Sequence, residues 1–296
     1  GDKPTAPTNS GSAIFMFSQD PVKQRAAWEL MKFLTSDEAY SVITSKIGYL
    51  PLRLDIVDDP KYLKDWVEAN PMIRPNLEQL TTPCLILDEA RMTRNIRRLA
   101  DKAAALGVTL RPHLKTAKST EVARRVLTDG VGPATVSTLA EAEVFADAGV
   151  HDILYAVGIT PQKLPRVLAL RDRGCDLVIL IDSIAQARSV AAAARAAGKP
   201  IPALIEIDSD GHRGGLRAGD TDLIEIGQLL HGSGAGLRGV MTHAGGSYDA
   251  AGADRHAEWA ERERDAAVAA AERLRKAGLP CPVVSVGSTP TAMGAR

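Results

Sequence analysis

The sequence predicts an α/β protein: a closed (β/α)8, TIM-like barrel preceded by a small all-α segment. Three observations carry this. From Cys84 onward, short β-branched runs alternate with helices rich in Ala, Arg and Leu, the pattern of parallel strands joined by crossover helices. Eight such runs can be counted, and a parallel sheet has more reason to stop at eight when it closes on itself. Polar, turn-rich clusters follow several of these runs, where a barrel gathers its functional groups at one mouth.

The elements follow in order. Between Pro21 and Leu80 the periodicity is helical: Ala26, Ala27, Leu30, Met31 and Leu34 share one face, Ser36 caps a second helix ended by Gly48, and Asp58-Asp59-Pro60 opens a third. That third helix runs through Tyr62, Leu63, Trp66 and Val67 and breaks at Asn70-Pro71. The predicted strands are Cys84–Leu87, Val108–Arg111, Ala134–Ser137, Ile153–Ala156, Leu177–Ile181, Ala203–Ile207, Gly239–Thr242 and Val283–Val286. Helices are expected over Arg91–Leu106, Thr120–Thr128, Leu139–Ala148, Ile184–Ala197 and Ala253–Ala277. The seam falls near Leu80, dividing a helical segment, residues 1–80, from a barrel, residues 81–296.

Composition narrows the partners. Hydrophobic residues make up 45% and charged residues 24%, as in a globular protein with a sizeable core. Lys plus Arg equals Asp plus Glu at 36 each, so no net field favours nucleic acid or an anionic membrane, and a small molecule is the expected partner. Cys84, Cys175 and Cys281 are odd in number and form no CxxC pair, which argues against a disulfide framework or a zinc knuckle and suits a reducing cytoplasm. Gly1 to Ser10 lacks a basic stretch followed by an apolar one, and no apolar run is long enough to span a bilayer, so a cytoplasmic protein is expected. No Walker loop, GxGxxG or HExxH motif supports nucleotide or zinc-protease chemistry.

Four clusters can carry chemistry: Arg111-Pro112-His113-Leu114-Lys115-Thr116-Ala117-Lys118, Asp208 to Gly215, Thr242-His243-Ala244-Gly245-Gly246-Ser247-Tyr248, and Gly287-Ser288-Thr289-Pro290-Thr291. The last, a Gly-Ser-Thr turn opening a helix, offers backbone N–H groups and two hydroxyls to a phosphate, or else is an ordinary helix cap. Lys115 at a barrel mouth, with Arg111, His113 and Lys118 lowering its proton affinity, has the chemistry of a Schiff-base amine; the plain alternative is a solvated lysine. An amine facing a phosphate turn suggests pyridoxal phosphate. Arg213 offers fixed donors to a ring or phosphate, and Tyr248 and His243 can move protons. Each of these three could equally be structural, and His212, in a Gly-rich turn, ranks below them.

The string Thr82-Pro83-Cys84-Leu85-Ile86-Leu87-Asp88, Asn95-Ile96, and the run from Arg111 to Thr116 resemble the opening of the D-threonine aldolase and D-serine dehydratase family, whose members are pyridoxal-phosphate enzymes of fold type III related to alanine racemase. The strings Ile205 to Asp208, His212-Arg213, Thr242 to Tyr248 and Gly287 to Thr291 resemble it in the same order. By this resemblance Lys115 matches the Schiff-base lysine, His113 lies beside it at the cofactor, and Arg213 and Tyr248 contact the cofactor. The same resemblance makes Gly287, Ser288 and Thr289 the phosphate cradle, with Lys115, Tyr248 and His243 the catalytic candidates. It further implies a lyase acting on a D-β-hydroxy amino acid by retro-aldol cleavage or dehydration, a divalent metal (manganese or zinc) and a homodimer in full-length members. The family's C-terminal β domain, which brings the metal ligands, is not expected within these 296 residues, so no metal ligand is assigned. Residues 11–80 resemble a C-terminal fragment of the sugar-binding proteins of ABC importers. The alternatives are therefore an alanine-racemase-like racemase, a sugar-binding transport component, or an inactive fusion product.

Overall fold

Beginning at Ala134, runs of Ile, Val, Leu and Ala form six parallel strands: β1 (Ala134–Val136), β2 (Asp152–Gly158), β3 (Asp176–Ile181), β4 (Ala203–Ile207), β5 (Leu237–Thr242) and β6 (Val283–Ser285). The protein is described here by a computed structural model covering residues 18–47, 54–71, 73–74 and 87–296. The chain divides into two compact units, residues 1–93 and 94–296. In the second, the strands lie in sequence order from β1 to β6, every neighbouring pair parallel, which is the wall of an α/β barrel.

Both faces of this wall are buried, as parallel sheets require, so the strands read as continuous apolar runs. Ile153, Tyr155, Leu177, Ile179, Ile205 and Val240 join the core that includes the surrounding helices. The alternate residues Leu154, Leu180 and Leu204 form a separate cluster with Ala156, Val178 and Met241 on the inner face. The register Leu180↔Leu204 and Glu206↔Met241 continues that inner face upward, so Glu206 points toward the mouth.

The helices are α4 (Glu89–Ala105), α5 (Thr120–Val126), α6 (Leu139–Asp147), α7 (Leu164–Asp172), α8 (Ile184–Ala197), α9 (Asp222–Gly232), α10 (Ala253–Lys276) and α11 (Thr289–Gly294). Serine and threonine start several of them: Ser119, Thr138, Ser183 and Ser288 each accept from a backbone amide of the first turn. The five helices expected in this half are present, while α7 and α9 were not anticipated.

Two predicted strands need comment. Cys84–Leu87 lies outside the described residues except for Leu87, which has no strand pairing. Val108–Arg111 has no strand ladder; pairing with β1 begins at Pro112, whose carbonyl accepts from Thr135, and continues with Leu114 donating to the Thr135 carbonyl. Pro112 has no N–H, so a ladder through it is confined to one bridge at His113.

In the first unit, α1 (Pro21–Leu34), α2 (Asp37–Ile47) and α3 (Lys64–Glu68) form with the expected Ser36 cap, whose hydroxyl accepts from Ala39. A core of Ile56, Val57, Leu63, Val67 and Ile73 holds this unit. The apolar face expected on α1 is not buried, for no α1 residue is buried and Leu30 is 55% exposed. Gly48 lies outside the described residues.

Candidate active site

The upper ends of the strands, with the turn that precedes β1, bring the predicted residues toward one mouth. His113 is the best defined of them. Its Nδ1 accepts from the Lys115 amide at 3.2 Å, and its Nε2 lies 3.3 Å from the Ser137 hydroxyl at the end of β1. An amide can only donate, so the proton of the neutral ring sits on Nε2 and is given to Ser137. Burial, then the neighbouring Lys115 charge, hold this histidine down to about 4, so it is neutral at pH 7.

His243, after β5, is held the other way round. Its Nδ1 lies 2.7 Å from the Gly287 carbonyl, which can only accept, so Nδ1 carries the proton and the Nε2 lone pair remains. Burial lowers its pKa most, the Gly287 bond opposes this, and the charges of Arg213 and Lys115 lower it further. Both cations thus share one electrostatic neighbourhood with His243. The Tyr248 ring stands 6.1 Å from the His243 ring, and its side chain is 58% exposed.

Arg213 belongs to the loop after β4, which is built on Asp208: its Oδ1 accepts from the Asp210 and Gly211 amides. Asp210 in turn accepts from Gly246, locking this loop to the one after β5. The contact is so close that a Cβ on Gly245 would stand 2.7 Å from Arg213 Cδ, and one on Gly246 would stand 2.8 Å from the Trp259 ring. Glycine is required here for close approach.

The Gly287-Ser288-Thr289 turn is a helix cap in its hydrogen bonding. Ser288 and Thr291 form a reciprocal capping box, and the Ser288 hydroxyl also lies 2.7 Å from Ser247. Ser288 is buried, while Thr289 is exposed. Gly287, at φ 152°, is bound directly to His243, so this turn and the β5 loop form one unit.

The cations expected to flank Lys115 are otherwise engaged. Arg111 forms a two-pronged pair with Asp152 at 2.6 and 3.1 Å and reaches the Ala134 carbonyl, placing it at the lower ends of β1 and β2. Lys118 pairs with Glu141 at 3.3 Å. Only His113 of the three acts at the lysine, and it is uncharged. Lys115 itself is exposed.

Sequence reading missed Ser137, Asp182 and Glu263. Glu206 is pushed up by burial and by the adjacent Asp182, with Arg213 opposing, so the mouth has an acidic side as well as a basic one. Glu263 left a signal: it is a carboxylate on the buried stripe of α10. Among the described residues no group of three His, Cys, Asp or Glu is placed to hold a metal. An exposed primary amine, a guanidinium and a hydroxyl-lined turn bonded to a neutral imidazole fit an anionic aldehyde such as pyridoxal phosphate: the amine suits the aldehyde, the cations the phosphate and ring.

Residues 87–296 match the family described as alanine racemase, N-terminal domain, and residues 3–72 match the bacterial extracellular solute-binding protein family. The chain is 52% identical over 224 residues to D-threo-3-hydroxyaspartate dehydratase of Delftia sp. (strain HT23), covering 75% of this chain and 59% of that one. The solved structure of that dehydratase superposes with a TM-score of 0.72 at 53% identity, over 74% of this chain and 58% of the other. D-serine dehydratase of Schizosaccharomyces pombe is 31% identical over 73% of this chain and 55% of its own length. The structure of D-threonine aldolase from Filomicrobium marinum gives a TM-score of 0.64 at 30% identity, covering 70% and 56% of the two chains. The chain thus spans between 55% and 59% of the length of each of these relatives. No helix among the described residues is long and apolar enough to cross a membrane.

Proposed function

The chain belongs to the alanine racemase N-terminal domain family, a family of pyridoxal-phosphate enzymes, and on that premise we propose that residues 81–296 supply the cofactor-binding barrel of a lyase for D-β-hydroxy amino acids, working by dehydration or retro-aldol cleavage. The observation that carries the reading is the hydrogen-bonded mouth of the parallel sheet, where the Lys115 amide donates to His113, His243 is held by the Gly287 turn, and the loop that carries Arg213 is tied to the His243 loop through Asp210 and Gly246. The names of the relatives point the same way: 3-hydroxyaspartate, serine and threonine all carry a hydroxyl on the β-carbon.

Pyridoxal phosphate, when bound, supplies an electron sink for charge developing beside the substrate's amino group. Lys115 holds the cofactor through its amine, Arg213 and Tyr248 hold it through donors at the rim, and Gly287, Ser288 and Thr289 hold its phosphate. His113 fixes the Lys115 backbone by accepting, at Nδ1, the hydrogen bond that the Lys115 amide donates. His243 is the proton acceptor: Gly287 orients its ring, desolvation keeps it neutral, and Nε2 has the lone pair to take a proton. A divalent ion, manganese or zinc, would assist by polarising the β-hydroxyl, and we assign none of its ligands to residues 87–296. Residues 1–80 have no part in cofactor binding, and a homodimer is proposed for full-length members of the family.

The test is the absorption spectrum of purified protein with added pyridoxal phosphate, followed by borohydride reduction and peptide mapping. The label is expected on Lys115. Label on Lys118 instead, or none on Lys115 with cofactor demonstrably bound, refutes the assignment.

A further inference from the structure

Glu141 is a buried carboxylate in the first turn of α6, and its two oxygens face different parts of the chain. Oε2 accepts from the Thr138 amide at 3.3 Å, and the Glu141 amide returns a bond to the Thr138 hydroxyl at 3.0 Å, which is an ordinary capping box. The shorter bond of Oε2 reaches past the cap to the Ser137 amide at 2.7 Å. Oε1 is left for Lys118, whose Nζ stands 3.3 Å away. A helix cap needs neither of these last two contacts.

Both contacts bear on the turn that carries Lys115. That turn, from Leu114 to Lys118, is closed by the Lys118 amide donating to the Leu114 carbonyl at 3.0 Å. At its first end Leu114 donates to the Thr135 carbonyl of β1, and the His113 ring links the Lys115 amide to the Ser137 hydroxyl. At its last end Lys118 takes φ 47°, a left-handed conformation that is costly for a residue with a Cβ, and its ammonium meets Glu141. Both ends are thus fastened to the junction of β1 and α6, one through the Ser137 hydroxyl and the other through the carboxylate that binds the Ser137 amide. An exposed Lys–Glu pair contributes little when both side chains must be ordered. Here the carboxylate is buried and already held by two amides, so only the lysine is ordered. We propose that Glu141 and Lys118 are positioning residues for Lys115, an ion pair that holds the far end of its turn against β1 and so keeps the Lys115 amine at the mouth. The charge of Lys118 is matched by Glu141, and what it gives Lys115 is a fixed backbone. This rests on the reading of Lys115 as the cofactor lysine and deepens it.

Lys118→Met removes the pair without touching the helix cap, Lys118→Arg restores it, and Glu141→Gln keeps a carbonyl oxygen for the amides while removing the charge. Two quantities are measured for these variants, for the Lys118→Met/Glu141→Gln double variant and for wild type: hydrogen exchange at the Lys115 and Lys118 amides without cofactor, and affinity for pyridoxal phosphate. Lys118→Met and Glu141→Gln should each speed exchange at both amides and weaken pyridoxal phosphate roughly fivefold, the upper scale of a single ion pair. The double variant should be no worse than either single one, because both break the same contact, and Lys118→Arg should stay close to wild type. The unfolding midpoint of Lys118→Met should scarcely move, since its side chain is exposed; a lower midpoint with exchange and affinity unaltered would show a merely structural role. That result, or losses that add in the double variant, overturns the proposal. Wild-type protein that binds no pyridoxal phosphate would overturn the cofactor reading and with it the purpose of the pair, whereas intact binding that Lys118→Met leaves unaltered overturns the positioning role alone. Should Glu141→Gln not fold, the contrast between Lys118→Met and Lys118→Arg decides.

Discussion

The histidine beside Lys115 should make the protein sensitive to acid. His113 is partly buried, with Nδ1 committed to the Lys115 amide and Nε2 beside Ser137, and these surroundings hold it down to about 4 from 6.5. Its folded value lies below its unfolded one, so as the pH falls the unfolded chain takes up the proton first. The stability it contributes is complete above about 6.5 and is lost as the pH falls to about 4. At about 1.4 kcal/mol per pH unit, that gap amounts to about 3 kcal/mol. This is a ceiling, because relaxation and water entry lower it. Urea unfolding between pH 7.5 and 4, on wild type and His113→Asn, isolates the contribution. Glu206 and Glu263, pushed up by burial, act in the opposite sense, and His243 acts in the same sense as His113, but all three remain in both proteins. The stability advantage of wild type over the variant should therefore shrink by up to about 3 kcal/mol across that range. An advantage that does not vary with pH would mean that His113 is not desolvated as described.

Other outcomes follow from single contacts. Lys115→Ala should abolish borohydride labelling while leaving the unfolding midpoint nearly unchanged, because the side chain is exposed; a large loss of stability would refute the mouth position. Gly245→Ala would press on Arg213 Cδ and should weaken pyridoxal phosphate several-fold in a fluorescence titration, with about 1 kcal/mol lost in unfolding. Arg111→Met should cost roughly 1 kcal/mol, since its pair with Asp152 is half exposed, and leave cofactor affinity untouched; a loss of affinity would restore Arg111 to the mouth. A protein beginning at Leu80 should bind the cofactor as the full chain does, and failure of that piece to fold would move the domain boundary.

What could be read from the sequence divides along physical lines. Strands from Ala134 onward were legible because parallel strands buried on both faces leave unbroken apolar runs, and α10 because its stripe of alanines extends over several turns. The strand expected at Val108–Arg111 was not, because apolar residues there were counted without weighing that Pro112 cannot donate. The α1 stripe was legible as a helix, but periodicity says which residues share a face and nothing about what covers it, and Leu30 remains exposed. At the site, motif strings pointed to His113, whose Nδ1 meets the Lys115 amide two residues on, and to His243 and the Gly287 turn, which meet each other although 44 residues separate them. Charge was the harder quantity. Arg111 and Lys118 stand within four residues of Lys115, yet Arg111 pairs with Asp152 at the lower ends of the strands, and Lys118, at φ 47°, turns toward Glu141. Nearness along a chain that leaves an extended segment and enters a turn is not nearness in space. The fields that do reach the mouth come from Arg213, after β4, and meet a histidine after β5 whose orientation is set from β6. Glu263 shows the same limit from the other side, because a lone carboxylate on an alanine-lined helix face is visible in the sequence, but the Ala244 amide that meets it, 19 residues earlier in the chain, is brought there only by the fold.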